Sequence, residues 1–319
     1  MKPLIIAECC QNHLGNLEIL KQQIHDAVQN GADYVKLQAI RSSELTHRER
    51  FDEGDTDAEG NIRSIKRPYK QEYDRLKKLD LTKEQEIWFA DECKRAGISS
   101  MATVFSLNSA NELKKMGYEA IKIASYDCAS YTLLAEIKEL FKKIYVSTGS
   151  TYDHEIANAA RILDGCDYEF LHCVTIYPTP LEELHLARLA FLRRFSAKVG
   201  YSDHSHVETT GILASQIALG LGASCIERHF TILEDDQTKD GPVSIRPSDL
   251  KELSDFNELS RFEQMKVINA KMPSWQNVVM GDSTRILSKA ERLNRDYYRG
   301  RFASIKDGRY IFNWDVENI

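Results

Sequence analysis

Two histidines in the second half of the chain each follow another polar residue at a distance of two positions. Ser202 precedes His204 in KVGYSDHSH, and Glu227 precedes His229 in CIERHF. Side chains two positions apart on a β-strand point to the same face. The run between the two segments, ETTGILASQIALGLG, carries small and apolar residues at helical spacing. The pattern therefore predicts strand, helix, strand, which is the unit of a parallel sheet.

In a parallel sheet the ends of successive strands lie side by side, so His204 and His229 can meet although they are far apart in the sequence. Two imidazoles with carboxylates nearby would form a site for a divalent metal ion. A single histidine at a strand end is more often a hydrogen-bonded structural residue, and the chain contains nine histidines. Both interpretations remain open from these two segments alone.

The composition is that of an ordinary globular protein. The 319 residues are 42% hydrophobic and 28% charged, with a net charge of −6. Lysine and arginine are scattered among acidic residues, which disfavours binding of nucleic acid. No apolar run is long enough to span a membrane, and the first residues lack a signal-peptide pattern, so we expect a cytoplasmic protein. The seven cysteines show no zinc-finger spacing, and reduced thiols are expected.

Eight β-like runs, most of them followed by an amphipathic helical run, extend to about residue 265. The first six predicted strands are residues 4–8, 34–38, 99–104, 120–125, 144–147 and 169–173, and the two histidine segments supply the others. Helices are predicted over residues 17–30, 82–95, 106–116, 131–141, 153–163, 184–195, 208–222 and 249–265. Eight such units favour a closed (β/α)8 TIM barrel over an open doubly wound sheet. No glycine-rich phosphate motif follows the first strand.

Two segments depart from this alternation. Residues 41–80 form a long, charged insertion without an apolar repeat, which is typical of a lid or a binding loop. Residues 266–319 include RFASIKDGRYIF, a predicted hairpin that turns at Asp307 and Gly308. This tail is too short for a core of its own. We therefore predict one barrel domain over residues 1–265 and a C-terminal extension that packs on the barrel or on a second subunit.

Two lysines stand inside apolar strands, in YVKLQ and AIKIAS. Lys36 and Lys122 would be buried there, and a buried lysine usually has an anionic partner or a chemical role. Each could be a Schiff-base nucleophile, a structural ion-pair partner or a cation for a substrate anion. Hydroxyl residues near the ends of neighbouring strands favour a cradle for a small dianion. These residues are Thr103, Ser125, Thr148 and Ser202.

Glu8 ends the first strand inside an apolar run. It would either neutralise one of the lysines or act as an acid, a base or an orienting group, and both roles remain open. The polar residues discussed here fall at the C-terminal ends of the predicted strands. That is the end at which the active sites of barrel enzymes lie.

The motifs, taken in order, resemble those of the N-acetylneuraminate (sialic acid) synthases and the related nonulosonate synthases. They are IIAECCQNHLGN, GADYVKLQ, ATVFS, IKIAS, VSTGS, LHCVTIYPTP, VGYSDHS and IERHFTI, and they cover roughly residues 4–260. Each motif is weak by itself, whereas the ordered set is specific.

The resemblance implies an enzyme that condenses phosphoenolpyruvate with the open-chain aldehyde of an N-acetylated aminosugar and releases phosphate. It implies that His204 and His229 bind a divalent ion, typically Mn²⁺, with Mg²⁺ or Co²⁺ as alternatives. It also implies that Glu8 and Glu227 line the reacting centre and that Gln38 and Tyr177 face the sugar. The residues implied to hold phosphoenolpyruvate are Lys36, Thr103, Lys122, Ser125, Thr148 and Ser202.

The chain differs from the family pattern at the sugar end. Thr175 stands where the family has asparagine, and Val243 and Ser244 replace an aspartate and a histidine, so Asp240 is the expected substitute carboxylate. Family members usually continue into an antifreeze-like domain that lends an arginine to the partner subunit. Residues 288–305 resemble the linker to that domain, and the domain itself is expected to be missing. Arg246 or an arginine of residues 41–80 would then have to take the place of its arginine. We expect a homodimer and an unusual acceptor sugar.

Three alternatives remain beside this reaction. The first is a 3-deoxy-keto-sugar-phosphate synthase that acts on a phosphorylated aldose, and additional basic residues at the sugar end would favour it. The second is a Schiff-base aldolase, which borohydride would trap on Lys36 or Lys122. The third is a noncatalytic sugar-binding relative, given the missing asparagine and aspartate.

Overall fold

The computed structural model describes residues 2–316, and eight parallel strands in it close into a barrel. Each strand pairs with its neighbours in chain order, and the last pairs with the first, so the barrel leaves no open edge. The predicted TIM barrel is confirmed, and the open sheet is excluded. The strands are β1 (Leu4–Cys10), β2 (Tyr34–Gln38), β3 (Ser99–Val104), β4 (Ala120–Ile123), β5 (Lys143–Ser147), β6 (Asp167–His172), β7 (Val199–Asp203) and β8 (Cys225–His229).

The barrel helices bury one face against the outside of the strands. In the first of them, Leu20, Ile24 and Ala27 are buried at helical spacing, and the Asn16 side chain caps the N-terminus. The second begins at a capping box and ends at Gly97, as its sequence predicts. The helices are α1 (Leu17–Gln29), α2 (Lys83–Ala96), α3 (Leu107–Lys115), α4 (Tyr131–Leu140), α5 (Asp153–Ile162), α6 (Arg188–Leu192), α7 (Leu213–Gly220) and α8 (Pro247–Glu258).

Three predicted helices differ from those observed. Residues 208–222 form a short helix, Val207–Thr210, and then α7, because Gly211 adopts a left-handed backbone between them. Residues 249–265 form α8 and α9 (Arg261–Lys271), because the Ser260 side chain caps a new helix by accepting the Glu263 N–H. The helix expected over residues 184–195 is reduced to α6.

The barrel interior changes from apolar to polar along the strands. Ile6, Met101, Tyr145 and Cys225 form part of a buried apolar cluster at the floor. Side chains two positions further along each strand face the same way, so polar groups stand directly above this floor. They are Glu8, Thr103, Ser147 and Glu227, and Lys122 stands above Ala120 in the same manner.

The insertion after β2 has more structure than its sequence predicts. It contains a 3₁₀ turn (Ser42–Glu44), a short helix (Arg50–Glu53), a hairpin (Asp55–Thr56 with Ile62–Ser64) and a helix (Tyr69–Lys77). The side chains of Phe51 and Leu76 are buried and hold the segment together. Asp80 accepts hydrogen bonds from Ser42 and so ties the end of the insertion to its beginning.

The tail packs on the barrel of the same chain. It consists of α10 (Trp275–Val279), α11 (Lys289–Tyr298) and a hairpin of β9 (Ser304–Lys306) and β10 (Arg309–Ile311). The predicted hairpin is confirmed, since Asp307 and Gly308 both have the left-handed backbone that a tight two-residue turn requires. The tail meets the insertion where the Thr46 N–H donates to the Arg301 carbonyl at 2.9 Å. Between residues 2 and 316, none of the helices has the length and apolar character needed to cross a membrane.

Candidate active site

A cavity of about 360 Å³ opens at the C-terminal ends of the strands, a size that suits a small ligand. Its inner wall is formed by the polar strand ends that stand above the apolar floor. The insertion and the tail complete its outer wall, with Arg67 and Arg75 from the former and Asn294 and Arg301 from the latter. One pocket thus combines side chains from the whole length of the chain.

Two lysines and two carboxylates form a buried network at the base of the cavity. Lys122 Nζ lies 2.6 and 2.7 Å from the two carboxylate oxygens of Glu227, which also accepts the Ser202 hydroxyl at 2.9 Å. Lys36 Nζ donates to Thr103 Oγ1 at 2.8 Å, contacts Glu8, and lies 3.7 Å from Glu227. The sequence predicts all of these residues for the site, and the structure brings them together.

Burial and mutual charge set the protonation of this network. Burial lowers the pKa of Lys36 to about 7, with Lys122 adding to the effect and Glu227 opposing it. Burial alone would raise the pKa of Glu227, but the charges of Lys122 and Lys36 hold that pKa well below its usual range. Glu227 is therefore a permanent anion at neutral pH, whereas Lys36 can gain or lose a proton there.

The two predicted metal ligands stand next to each other at the mouth. The rings of His204 and His229 lie 5.3 Å apart, and the ring of Tyr177 covers His204 at 4.1 Å. Nδ1 of His204 lies 3.2 Å from the carbonyl of Val174. Burial lowers the pKa of His204 to about 3 and also lowers the pKa of His229. Both rings are therefore neutral at pH 7, the form that binds metal ions.

Cys10, His229 and Asp240 place one possible ligand atom each within 4.8 Å of one another. Nδ1 of His229 is buried, has no hydrogen-bond partner among the described residues, and lies 4.0 Å from Asp240. A thiol, an imidazole nitrogen and a carboxylate oxygen at one point fit a divalent ion. The sequence prediction includes His229 and Asp240 but not Cys10. The position of that thiol at the end of β1, two residues after Glu8, was the signal that could have indicated it.

The remaining predicted residues divide into two groups. Gln38 and Ser125 line the cavity, as do Tyr177 and Asp240. Thr148 and Thr175 are not among its lining residues. The Thr148 hydroxyl donates to the Leu171 carbonyl at 3.1 Å, and the Thr175 hydroxyl bonds Ser150.

Two residues that the sequence did not single out line the wall close to these threonines. Ser147 precedes Thr148, and its buried hydroxyl has no partner among the described residues. Asn294 donates its side-chain amide to the Thr175 carbonyl at 2.8 Å. An amide group is therefore present close to Thr175, although it comes from the tail.

Basic residues surround the outer part of the cavity. Arg75 and Arg301 both pair with Glu72, and Arg67 and Lys239 lie in the same wall. Burial, together with the charges of Arg75 and Arg301, lowers the pKa of Lys239 to about 8. Of the arginines proposed from sequence, Arg67 and Arg75 of the insertion line the cavity. Arg246 does not, because it is bound to Glu234 and Asp235.

A second buried ion pair, missed from the sequence, lies just outside the barrel wall. Asp203 and Arg228 are fully buried and 2.5 Å apart. Asp203 also accepts the Ser215 hydroxyl at 2.6 Å and the Ser205 N–H at 2.8 Å. The pair thereby fixes the segment between β7 and α7 that carries His204.

Comparison with known proteins identifies the family of the chain. The NeuB family matches residues 23–266. The chain belongs to the NeuB family. It is 31% identical to the N,N'-diacetyllegionaminic acid synthase of Campylobacter jejuni over 96% of this chain and 86% of that protein. It is 29% identical to the pseudaminic acid synthase of the same species over 100% of this chain and 87% of that one. This NeuB-family chain is therefore an enzyme of the sialic acid synthase type.

A solved structure supports the same assignment. The N-acetylneuraminic acid synthetase of Leptospira borgpetersenii, crystallised with citrate, superposes with a TM-score of 0.71 at 26% identity. The match covers 93% of this NeuB-family chain and 91% of that one.

Proposed function

We propose that this enzyme condenses phosphoenolpyruvate with the open-chain aldehyde of an N-acetylated aminosugar to give a nonulosonate and inorganic phosphate. The observation that carries the proposal is the pair of buried lysines among hydroxyl groups at the base of the cavity. An ammonium group has three N–H donors. Lys122 directs two of them at Glu227, so that one remains for a phosphate or carboxylate oxygen.

The two lysine–carboxylate pairs have different tasks in this proposal. Lys122 offsets part of the charge of phosphoenolpyruvate through its remaining N–H donor, and Glu227 holds the ammonium group in place. C3 of phosphoenolpyruvate attacks the aldehyde carbon, and the aldehyde oxygen takes up a proton from solvent to become a hydroxyl group. The positive character that develops at C2 is stabilised by the Glu8 carboxylate. Water then adds to C2, and the tetrahedral intermediate expels phosphate. Lys36, whose pKa of about 7 allows proton exchange at neutral pH, carries the water's proton with Glu8.

We propose His204 and His229 as ligands of a divalent ion, typically Mn²⁺, with Mg²⁺ and Co²⁺ as alternatives. When bound, the ion supplies Lewis-acid polarisation of the aldehyde oxygen. The fit rests on two neutral imidazoles and on the unpartnered Nδ1 of His229. The ring of Tyr177, which lies tilted over His204 at 4.1 Å, closes one side of this position.

The acceptor occupies the outer part of the cavity, between Gln38, Tyr177 and the tail. Asn294 replaces the amide that Thr175 lacks, because its side chain is anchored on the Thr175 carbonyl and lines the same wall. Thr175 itself acts indirectly, through the carbonyl that orients this amide. This arrangement supports the same reaction type with a sugar contact rebuilt from a different part of the chain.

A second candidate is the synthase that acts on a phosphorylated aldose. The observation that favours it is the excess of basic residues in the outer wall. The basic side chains are Arg67, Arg75, Lys239 and Arg301, and the carboxylates beside them are Glu72 and Asp240. An excess of positive charge at the sugar end suits an acceptor that carries a phosphate or carboxylate.

The deciding experiment measures phosphate release from phosphoenolpyruvate and Mn²⁺ with a panel of N-acetylated aminosugars, each with and without a 6-phosphate, and with the corresponding phosphorylated aldoses. Release with the N-acetylated sugars supports the leading proposal, and release with aldose phosphates alone supports the second. EDTA should stop the reaction, and borohydride should trap no adduct on Lys36 or Lys122, because both lysines are engaged with carboxylates. A folded protein that releases no phosphate with any sugar would refute both.

Two further properties remain proposals. We propose a homodimer, although the tail already covers Phe302 and Ile311 against its own chain. Light scattering that shows a monomer at micromolar concentration would refute it. We also propose a cytoplasmic location, since phosphoenolpyruvate is a metabolite of that compartment.

A further inference from the structure

The thiol of Cys10 is aimed at a cluster of metal-binding groups. Cys10 is fully buried, and its Sγ lies 3.5 Å from Oδ2 of Asp240. His229 completes the group of three, and its Nδ1 is a buried nitrogen without a hydrogen-bond partner in residues 2–316. A structural role for the thiol would require no imidazole beside it. Three ligand atoms within 4.8 Å of one another could together hold a cation.

The backbone at Cys10 supports the same conclusion. The strand β1 has an irregularity between Glu8 and Cys10, and Cys10 adopts φ of +39°, in the left-handed region where glycine is the favoured residue. A cysteine at such a position costs free energy that glycine would avoid. The thiol is therefore the part of the residue that explains its presence there.

We infer that Cys10 Sγ is a direct ligand of the divalent ion, together with His229 and Asp240. The inference rests on the metal dependence included in the proposed function. On binding, the S–H bond gives its proton to solvent and a sulfur–metal bond forms, with no change in oxidation state. Thiolate is a soft ligand, so a Cys, His, Asp set should bind Co²⁺ more tightly than Mn²⁺, and Mn²⁺ more tightly than Mg²⁺. The ring of His204 stands 5.3 Å from that of His229 but is not one of the three groups whose ligand atoms converge.

The test is cobalt absorption spectroscopy on the full chain. The metal-free protein is titrated with Co²⁺ without oxygen, and thiolate-to-cobalt charge transfer is followed in the near ultraviolet. The test variant is Cys10→Gly, because glycine accepts the left-handed backbone and preserves the fold. The matched control is Cys166→Ser, which removes a more accessible thiol before β6, at the opposite end of the barrel. Thermal unfolding and circular dichroism verify that both variants are folded.

The wild type and C166S should show the charge-transfer band, whereas C10G should lose it. C10G should also bind Co²⁺ at least tenfold more weakly, since a factor of about 10 is the smallest loss of affinity expected for a disturbed metal site. The affinity for Mg²⁺ should change less. A wild type that binds Co²⁺ without the band overturns the inference. A band that persists in C10G also overturns it and assigns the signal to another thiol, of which Cys173, 3.6 Å from His204, is the nearest.

Phosphate release measured on the same samples separates this inference from the proposed function. Release by a Co²⁺ protein that lacks the band refutes the Cys10 ligand and leaves the reaction in place. Absence of both Co²⁺ binding and phosphate release refutes the two together.

Discussion

Lys122 on β4 and Glu227 on β8 form a bidentate ion pair across the interior of the barrel, with both Nζ–O distances below 3 Å. Each side chain is almost fully buried. Removing one partner would leave the other charge without solvent and without full compensation. The pair therefore links the stability of the barrel to the binding of the substrate anion.

Lys122→Gln should weaken phosphoenolpyruvate binding, because a cation at the base of the cavity is lost and Glu227 becomes a repulsive anion. We expect a decrease of about 100-fold or more in kcat/KM for phosphoenolpyruvate and a loss of about 3 kcal/mol in unfolding free energy. Steady-state kinetics and urea unfolding measure the two effects. Lys251→Gln is the control, since Lys251 forms an exposed ion pair with Asp255 on α8 and does not line the cavity. Unchanged phosphoenolpyruvate affinity in K122Q would contradict the assignment.

Asp203→Asn should lower the unfolding free energy by about 3–5 kcal/mol, because Arg228 would remain charged and fully buried. The affinity for metal should also fall, since Asp203 fixes the segment that carries His204. Urea unfolding and Co²⁺ titration provide the measurements. Asp167→Asn, which breaks an ion pair with a 62% exposed carboxylate, should cost at most about 1 kcal/mol. Equal losses of unfolding free energy in the two variants would show that the buried pair contributes no more to stability than the exposed one.

The stabilisation that Glu72 contributes to the fold should be lost in acid. Burial by itself would raise the pKa of Glu72, but Arg75 and Arg301 lower it from 4.5 to about 2. A carboxylate with a lowered pKa contributes its full stabilisation above pH 4.5 and loses it as the pH falls towards 2. Allowing for solvent screening, the contribution is about 1–2 kcal/mol.

Chemical denaturation of Glu72→Gln and wild type at pH 7 and near pH 2 tests this pH dependence. The two proteins should differ at pH 7 and converge in acid. Glu53→Gln removes a carboxylate that is 86% exposed and should show no such convergence. A constant difference between wild type and E72Q across this pH range would contradict the prediction.

Asn294→Ala should raise the KM for the acceptor sugar about tenfold, since one good hydrogen bond to the substrate would be lost. Phosphoenolpyruvate binding should remain as in the wild type, because Asn294 lies in the outer wall, away from the lysines. Initial-rate kinetics with each substrate varied in turn distinguish the two constants. Asn277→Ala on the exposed surface of α10 serves as the control. An equal rise in both KM values would place Asn294 in a general structural role.

The barrel could be predicted because its signals are local. Apolar runs, helix caps such as Thr82 and stops such as Gly97 each act within a few residues of the chain. The same two-residue alternation placed Glu8, Lys122 and Glu227 on the inner face. The same alternation places Asp203 and Arg228 on the opposite face of their strands. Both are charged, and only the packing of α7 against the strands explains their burial.

The outer wall could not be predicted in the same way. Asn294 and Arg301 meet the cavity through contacts with residues far away in the sequence, and such contacts leave no periodic pattern. The irregularity in β1 that turns Cys10 towards Asp240 also leaves no signal in the sequence, because a bulge depends on the neighbouring strand as well as on its own residues.

The bridge between Leu45 and Phe302, with the nearby bond from Thr46 to Arg301, has a consequence for biosynthesis. The strands and α8 have all left the ribosome once residue 258 has emerged. The contact that completes the outer wall of the cavity needs Phe302, which is made more than forty codons later. The barrel strands and their polar ends can therefore fold before residue 302 has emerged to enclose them.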